Sequence, residues 1–391
     1  MIRKYSLAFI APLIPIFLAS PALPPLKPAL PTAPPAATQQ RACFTAEARA
    51  EALRSAKVWQ EPDPGYDPVL GYNPETGPRP GAPKVDENGV GLPFQCTANK
   101  DRRPGEGTTP KFHCSVAGVM EEDGDLLRYK VKPHFKGQQR EKRNGEIYGE
   151  FLSSRFSKAL GFFADDNWVA DVTCPDCEKS LTSGFQGARW TPSQPAAGIE
   201  LNIGKGLDVG CNDKDAAGIA EALSGLVQGG ANRAEIDAFK LWLAFIDHGD
   251  TKTDNQKFAC LKWTKNADNT LTCDPGHSIF YVSDMGSTWG YSSSSESKAK
   301  LDRWKGRDPI KVSGGRCTTT AKSVGDANVG EAGRQLLATG LQRLLDAEKA
   351  NGLVTRVFRA SRNHERDQPA EAWAAEFERK ARTIIDARCS N

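Results

Sequence analysis

Four polar side chains crowd one short stretch of the chain: His248, Asp250, Lys252 and Asn255, in the pattern H-x-D-x-K-x-x-N. A second group, Asp284-Met285-Gly286, closes the apolar run Ile279-Phe-Tyr-Val-Ser. These residue types suit one kind of chemistry. Carboxylate and amide oxygens are hard donors of the sort magnesium prefers. A neighbouring ammonium offsets negative charge on a phosphoryl group in transit. Asp250, Lys252, Asn255 and Asp284 are therefore candidates for handling a polyphosphate, with His248 as a brace for the loop. The bland alternative is a solvated loop and an unrelated turn at a strand end.

Such groups need elements that hold them still. Arg233 to Ile246 is apolar almost all round, which predicts a buried helix feeding the first group. Asn232 and Glu235 have the spacing of a capping box at its start. After Asn255, Gln256–Trp263 and Thr270–Cys273 read as a hairpin, with Cys260 and Cys273 placed to bridge its arms. Upstream, Leu127, Tyr129 and Val131 alternate with Arg128, Lys130 and Lys132, the period of a strand. A helix is expected from Gly145 to Gly161, with Tyr148, Leu152, Phe156 and Ala159 near one face. Glu146 and Glu150 share a side of it, four residues apart, which also fits a solvated face. Between Gly105 and Cys114, the residues Gly105, Gly107, Thr108 and Thr109 suit either a phosphate-cradling turn or an ordinary hairpin turn. The G-x-G-x-x-G pattern is absent.

The order of these motifs resembles the catalytic centre of protein-kinase-like folds, whose loop reads H-R-D-x-K-x-x-N and whose later triplet is D-F-G. Glu150–Phe162, with Val131-Lys132-Pro133, is similar to the helix and strand lysine of atypical kinase-like proteins: the phosphatidylinositol kinases and the HipA type of bacterial kinases. The set Gly107-Thr-Thr-Pro-Lys-Phe112, Val131-Lys132, Glu150…Phe162, His248…Gln256 and Asp284…Gly290 is also similar to a group of exported bacterial proteins. The resemblance covers roughly residues 105 to 290. It implies a two-lobed α+β fold, with a β-rich small lobe over residues 43–173 and a helical large lobe over 174–391. It further implies ATP and magnesium as cofactors and a hydroxyl-bearing acceptor. Asp250 would orient or deprotonate the acceptor, and Lys252 would offset charge on the moving phosphoryl group. Asn255 and Asp284 would hold the metal. Lys132 paired with Glu150, helped by Gly107 and Thr108, would hold the nucleotide phosphates. The 29 residues from Asn255 to Asp284 exceed the spacing of ordinary protein kinases and suit an atypical branch. A catalytically silent scaffold and an AMP transferase on the same fold are the competing readings.

The remaining features bear on compartment and partners. The chain has 391 residues, with 51 basic and 48 acidic side chains for a net charge of +3. That near-balance, without a basic stripe, gives no reason to expect a nucleic-acid partner. A basic start, a short apolar run from Leu7 to Ala19 and Ser20-Pro-Ala22 read as an export signal over residues 1–22. A Pro/Ala-rich linker over 23–42 follows. No other stretch is apolar and long enough to span a bilayer. The 10 cysteines agree with an oxidising compartment, with Cys43 and Cys96 one conceivable pair. Cys174-Pro-Asp-Cys177 is C-x-x-C, but no second such pair exists to complete a zinc site. Residues 290–322, rich in Ser, Lys and Arg, read as a solvated loop. Two amphipathic helices, around Leu337–Leu345 and Trp373–Ile385, close the chain.

Overall fold

A computed structural model describes residues 42–99, 110–122, 124–136, 139–177, 192–207, 211, 230–250, 255–294, 297–319 and 327–390. The expected signal, nearly all of the linker, Gly107, Thr108 and Lys252 lie outside these residues. The chain opens with β1 (Cys43–Phe44), α1 (Ala46–Ser55) and a long ordered arm of turns, followed by β2 (Phe94–Gln95) and β3 (Thr97–Ala98). Then come β4 (Phe112–Met120), β5 (Leu126–Lys132), β6 (Phe135–Lys136), β7 (Gln139–Arg143) and α2 (Glu146–Ala159). The strands β8 (Asp166–Thr173), β9 (Ser193–Leu201) and β10 (Lys205–Gly206) precede α3 (Arg233–Phe245). The rest comprises β11 (Gln256–Cys260), β12 (Trp263–Lys265), β13 (Thr270–Cys273), β14 (Ser278–Val282), α4 (Leu301–Lys305), β15 (Ile310–Ser313), β16 (Arg316–Thr319) and β17 (Asn328–Val329). Three helices end the chain: α5 (Glu331–Asn351), α6 (Leu353–Ala360) and α7 (Ala370–Asp386).

Six strands form one sheet in the order β2-β8-β9-β5-β4-β3. Only Cys96 separates β2 from β3. The stretch Phe94–Ala98 therefore pairs with β8 on one side and β4 on the other, and closes the sheet into a barrel. Its inner residues include Phe112, Tyr129, Val131, Trp168, Val172 and Ile199. Because side chains alternate along β5, filling the barrel with Leu127, Tyr129 and Val131 turns Lys130 and Lys132 outward. The barrel includes Ser193–Leu201 and so runs past residue 173, where the sequence reading ended the small lobe.

Helix α2 lies against β8 and β9. Gly198 permits the approach, since a Cβ there would come within 3.0 Å of Ile147. The opposite side of α2 enters a second core, built on the aromatic residues Trp242, Phe245, Trp289, Trp304, Phe358 and Phe377. Ser153 and Ser157 are tolerated there because they accept hydrogen bonds from the indole N–H groups of Trp289 (3.0 Å) and Trp242 (2.8 Å). Helix α3 is buried and begins with the expected capping box: Asn232 Oδ1 accepts from Glu235 N, and Glu235 Oε2 accepts from Asn232 N. It packs on α5, and α5 on α7.

Five disulfides join Cys43–Cys211, Cys96–Cys114, Cys174–Cys177, Cys260–Cys273 and Cys317–Cys389. The Cys43–Cys96 pairing is thus corrected: Cys43 lies beside β13, whereas Cys96 lies at the barrel seam. The hairpin after Asn255 is also more divided than expected. β11 pairs with β14 and β12 with β13, and Cys260–Cys273 ties the two sheets. Residues 290–319 are not simply a solvated loop, since they hold α4 and the β15–β16 hairpin and bury Lys298. Among the described residues no helix is long and apolar enough to cross a membrane.

Candidate active site

Three elements converge on Lys132 at the end of β5. Its ammonium contacts Glu150 Oε1 on α2, lies 2.6 Å from Asp284 Oδ1 just beyond β14, and sits 3.5 Å from Glu146 Oε2. The side chain of Lys132 is 2% exposed and that of Asp284 is 35% exposed, so the cluster faces solvent only through Asp284. Lys298 extends the network by donating to Glu146 Oε1 at 2.6 Å. Lys130, one step back on β5, instead pairs with Glu200 on β9 at 2.5 Å. Both glutamates of α2 are buried and share Lys132, so the solvated-face alternative does not describe them.

The electrostatics follow from one buried ammonium meeting three carboxylates. Burial alone would lower the Lys132 pKa, but Asp284, Glu150 and Glu146 hold it well above its ordinary value. Asp284 is held well below the usual carboxylate range, first by Lys132, against a smaller effect of burial. Burial pushes Glu150 well up, with Lys132 opposing. Burial would also raise Glu146, but Lys132 and Lys298 together bring it down. Asp284 therefore carries the most secure negative charge of the three, at the position nearest solvent.

The loop after α3 is held against the segment that follows Asp284. Because β11 pairs antiparallel with β14, Asn255 lies opposite Ser283, whose N–H donates to Asn255 O at 2.7 Å. Asn255 and Asp284 are thus neighbours across a strand pair, although distant in sequence. Asn255 is buried, and its Nδ2 donates to Asp250 O at 2.9 Å. Gly249 N donates to Ser287 O at 3.0 Å, and Trp289 N to Ile246 O at 2.6 Å. His248 Nδ1 lies 3.4 Å from the same Ser287 carbonyl, which favours the Nδ1–H tautomer, and burial lowers the pKa of the ring. Its Nε2 is buried without a partner among the described residues. Asp247 and Asp284 both adopt positive φ, at 53° and 54°, where the chain turns sharply into and out of this contact. Asp250 is half-buried on the same loop.

A cavity of about 780 Å³ lies next to this cluster, within the usual size range of small-molecule sites. Ser283, Lys130 and Glu200 border it at the Asp284 end; Ile203, Phe258 and Tyr281 line it farther away. None of Lys132, Glu146, Glu150, Asp250, Asn255 and Asp284 lines the cavity itself. The arrangement brings Lys132, Glu150 and Asp284 into direct contact, with Asn255 and Asp250 beside them. Lys298 and Glu200 are partners that sequence reasoning missed. No spacing rule connects either to the motifs, and Lys298 sits in a stretch whose composition reads as solvated.

No family model matches this chain, and no curated protein matches it. Among solved structures it is similar to the crystal structure of a Helicobacter pylori proinflammatory kinase, CtkA. The two are 11% identical, with a TM-score of 0.38, over 75% of this chain and 94% of that one.

Proposed function

We propose that the chain is an ATP- and magnesium-dependent phosphotransferase of an atypical kinase-like kind, acting on a hydroxyl acceptor outside the cytoplasm. The observation that carries this reading is the contact of Lys132 with both Glu150 and Asp284, residues 18 and 152 positions away along the chain. A buried ammonium braced by a helix carboxylate and facing a second, partly exposed carboxylate is suited to gripping a metal-bound polyphosphate. The donor chemistry fits magnesium. Asp284 offers a charged carboxylate, and Asn255 retains Oδ1 because Nδ2 is spent on Asp250 O. Magnesium at these oxygens would offset the charge of the phosphates. Lys132 would orient those phosphates, and Asp250 would accept a hydrogen bond from the acceptor hydroxyl. Lys252, outside the described residues, keeps the role of offsetting charge on the transferred group. The disulfides and the absence of a membrane-crossing helix among the described residues are compatible with export.

The test is ATP binding by calorimetry, with and without magnesium, in the wild type and in Asp284→Ala. Magnesium-dependent binding by the wild type, weakened at least tenfold in the variant, is the expected result. Equal binding by both, or by neither, overturns the proposal. The mass of the modified acceptor then separates phosphate transfer from AMP transfer.

A further inference from the structure

Cys96 and Cys114 are far in sequence from the pair Cys174 and Cys177, yet the fold gathers all four at the seam of the barrel. The Sγ atoms of Cys96, Cys174 and Cys177 all lie within 4.8 Å of one another, and Cys114 is bonded to Cys96. All four are buried, none more than 2% exposed. Among the described residues this is the one place where three or more metal-ligating side chains of the Cys, His, Asp or Glu kind meet so closely. The C-x-x-C pair thus gains in space the second pair that it lacks in sequence.

The backbone that holds these sulfurs is tied by hydrogen bonds as well as by the S–S bonds. Cys96 N donates to Thr173 O at 3.0 Å, beside the β2–β8 pairing. Cys114 lies within β4, paired on both sides, with Ala98 of β3 and Tyr129 of β5. Cys174 N donates to Pro192 O at 2.8 Å, and Cys177 N closes the Cys174–Cys177 turn on Cys174 O at 3.5 Å. Asp176 Oδ1 fastens that turn to β3 by accepting from Ala98 N at 2.9 Å. A frame of sheet and turn hydrogen bonds thus surrounds the four sulfurs, besides the S–S bonds.

We propose that these four cysteines form one unit with two states: two disulfides when oxidised, and a tetrahedral tetrathiolate site for a thiophilic divalent cation, zinc first, when reduced. Zinc–sulfur bonds of about 2.3 Å imply sulfur–sulfur separations of about 3.8 Å in a tetrahedron. The sulfurs of Cys96, Cys174 and Cys177 need to close by about 1 Å or less, while Cys114, outside that trio, must swing farther once its bond to Cys96 is cut, by rotation of its side chain. The chemistry balances with a phosphine as reductant. Each disulfide takes two electrons and two protons to give two thiols, and each phosphine takes one oxygen atom from water to give the phosphine oxide. Binding of zinc then releases up to four protons to the buffer, with no change in the oxidation state of the metal. In either state the seam between β2–β3, β4 and the end of β8 stays clamped. Among the described residues the remaining three bridges join no such cluster.

The experiment uses the full chain. It is reduced anaerobically with a phosphine, loaded with zinc, freed of excess metal and analysed for zinc per chain. It is then alkylated and mapped by mass spectrometry. One zinc per chain is expected in the wild type and in Cys260→Ser/Cys273→Ser, and a loss to background in Cys96→Ser/Cys174→Ser. In the wild type, zinc should protect Cys96, Cys114, Cys174 and Cys177 from alkylation while leaving the other six reactive. Absence of retained zinc overturns the proposal, as does protection that falls on other cysteines. Because the protection map is read on the wild type, it decides the matter even where the double variant fails to fold.

Discussion

Replacing Lys132 with Met keeps the volume of the side chain and removes its charge. Glu150, whose side chain is only 4% exposed, would then lose its ion-pair partner. Removing one partner of a buried ion pair costs about 3–5 kcal/mol, because the other charge stays buried without compensation. Asp284 adds little to this figure, since a third of its side chain meets water and screening discounts the pair. For a chain of this size about 2 °C of Tm follows each kcal/mol, so the variant should melt ~6–10 °C below the wild type near pH 8. The pH dependence tests the cause. In the wild type, the low pKa of Asp284 contributes stability above the unfolded carboxylate range, and this is lost as pH falls through its folded value. Glu150 has the opposite sign: its raised pKa favours the fold at low pH, and the penalty grows as pH rises. Without Lys132 the first contribution disappears and the second penalty deepens. The Asp284 part of the deficit should therefore be present already near pH 4.5, while the Glu150 part should be small there and grow toward pH 8, so that the total rises with pH, read by calorimetry at several pH values. Lys132→Met/Glu150→Gln should recover most of the loss, since the stranded charge is gone. A deficit that is flat with pH, or a double variant as unstable as the sum of the two single ones, would refute the charge argument.

Gly149→Ala should push α2 away from the turn after Asp284, because the new Cβ would lie 2.8 Å from Gly286 O and 2.9 Å from Thr288 Oγ1. A loss of about 1–3 kcal/mol and weaker nucleotide binding are expected, by denaturant titration and calorimetry. Asn232→Ala removes half of the capping box of α3 and should cost about 1 kcal/mol by urea denaturation, with nucleotide binding unchanged. Cys317→Ser/Cys389→Ser opens a bridge with a sequence separation of 72 and should lower stability by about 4 kcal/mol on the chain-entropy account, by guanidinium denaturation under oxidising conditions.

Local rules made several elements legible in advance. The alternation along Leu127–Lys132 gives a strand, and it also dictates that the lysines leave the barrel core. The spacing of Asn232 and Glu235 is a capping box in the structure as in the sequence. The helix beginning at Glu146 was visible from its apolar face, and Gly161, at φ 89°, ends it. What stayed hidden was long-range. Phe94–Ala98 is too short and irregular to signal that it closes a barrel, and the turns before it carry no period. For the same reason the partner of Cys96 could not be read from spacing. Lys298 looked solvated because its neighbours are serines and lysines, yet Glu146 draws it into a buried pair. Charge pairing across 152 residues has no local signature.

The barrel also explains why the candidate site needs α2 in one place. Gly198 is the register partner of Lys132 on β9, and Ile147 of α2 packs directly over it. The glycine that lets the helix settle thus lies beside the lysine that the helix must reach. On its other side α2 is held by Trp242 and Trp289, whose elements lead into and out of the loop contacts at Ile246 and Ser287. A bulkier residue at Gly198 would lift Ile147 and carry Glu146 and Glu150 away together, while leaving the lysine on its strand. Gly198→Val should therefore weaken nucleotide binding more than it perturbs the barrel, whose hydrogen-exchange protection along β5 should persist. Loss of that protection in parallel with binding would show that the strand and the helix fold as one unit, and that the glycine does not act through helix position alone.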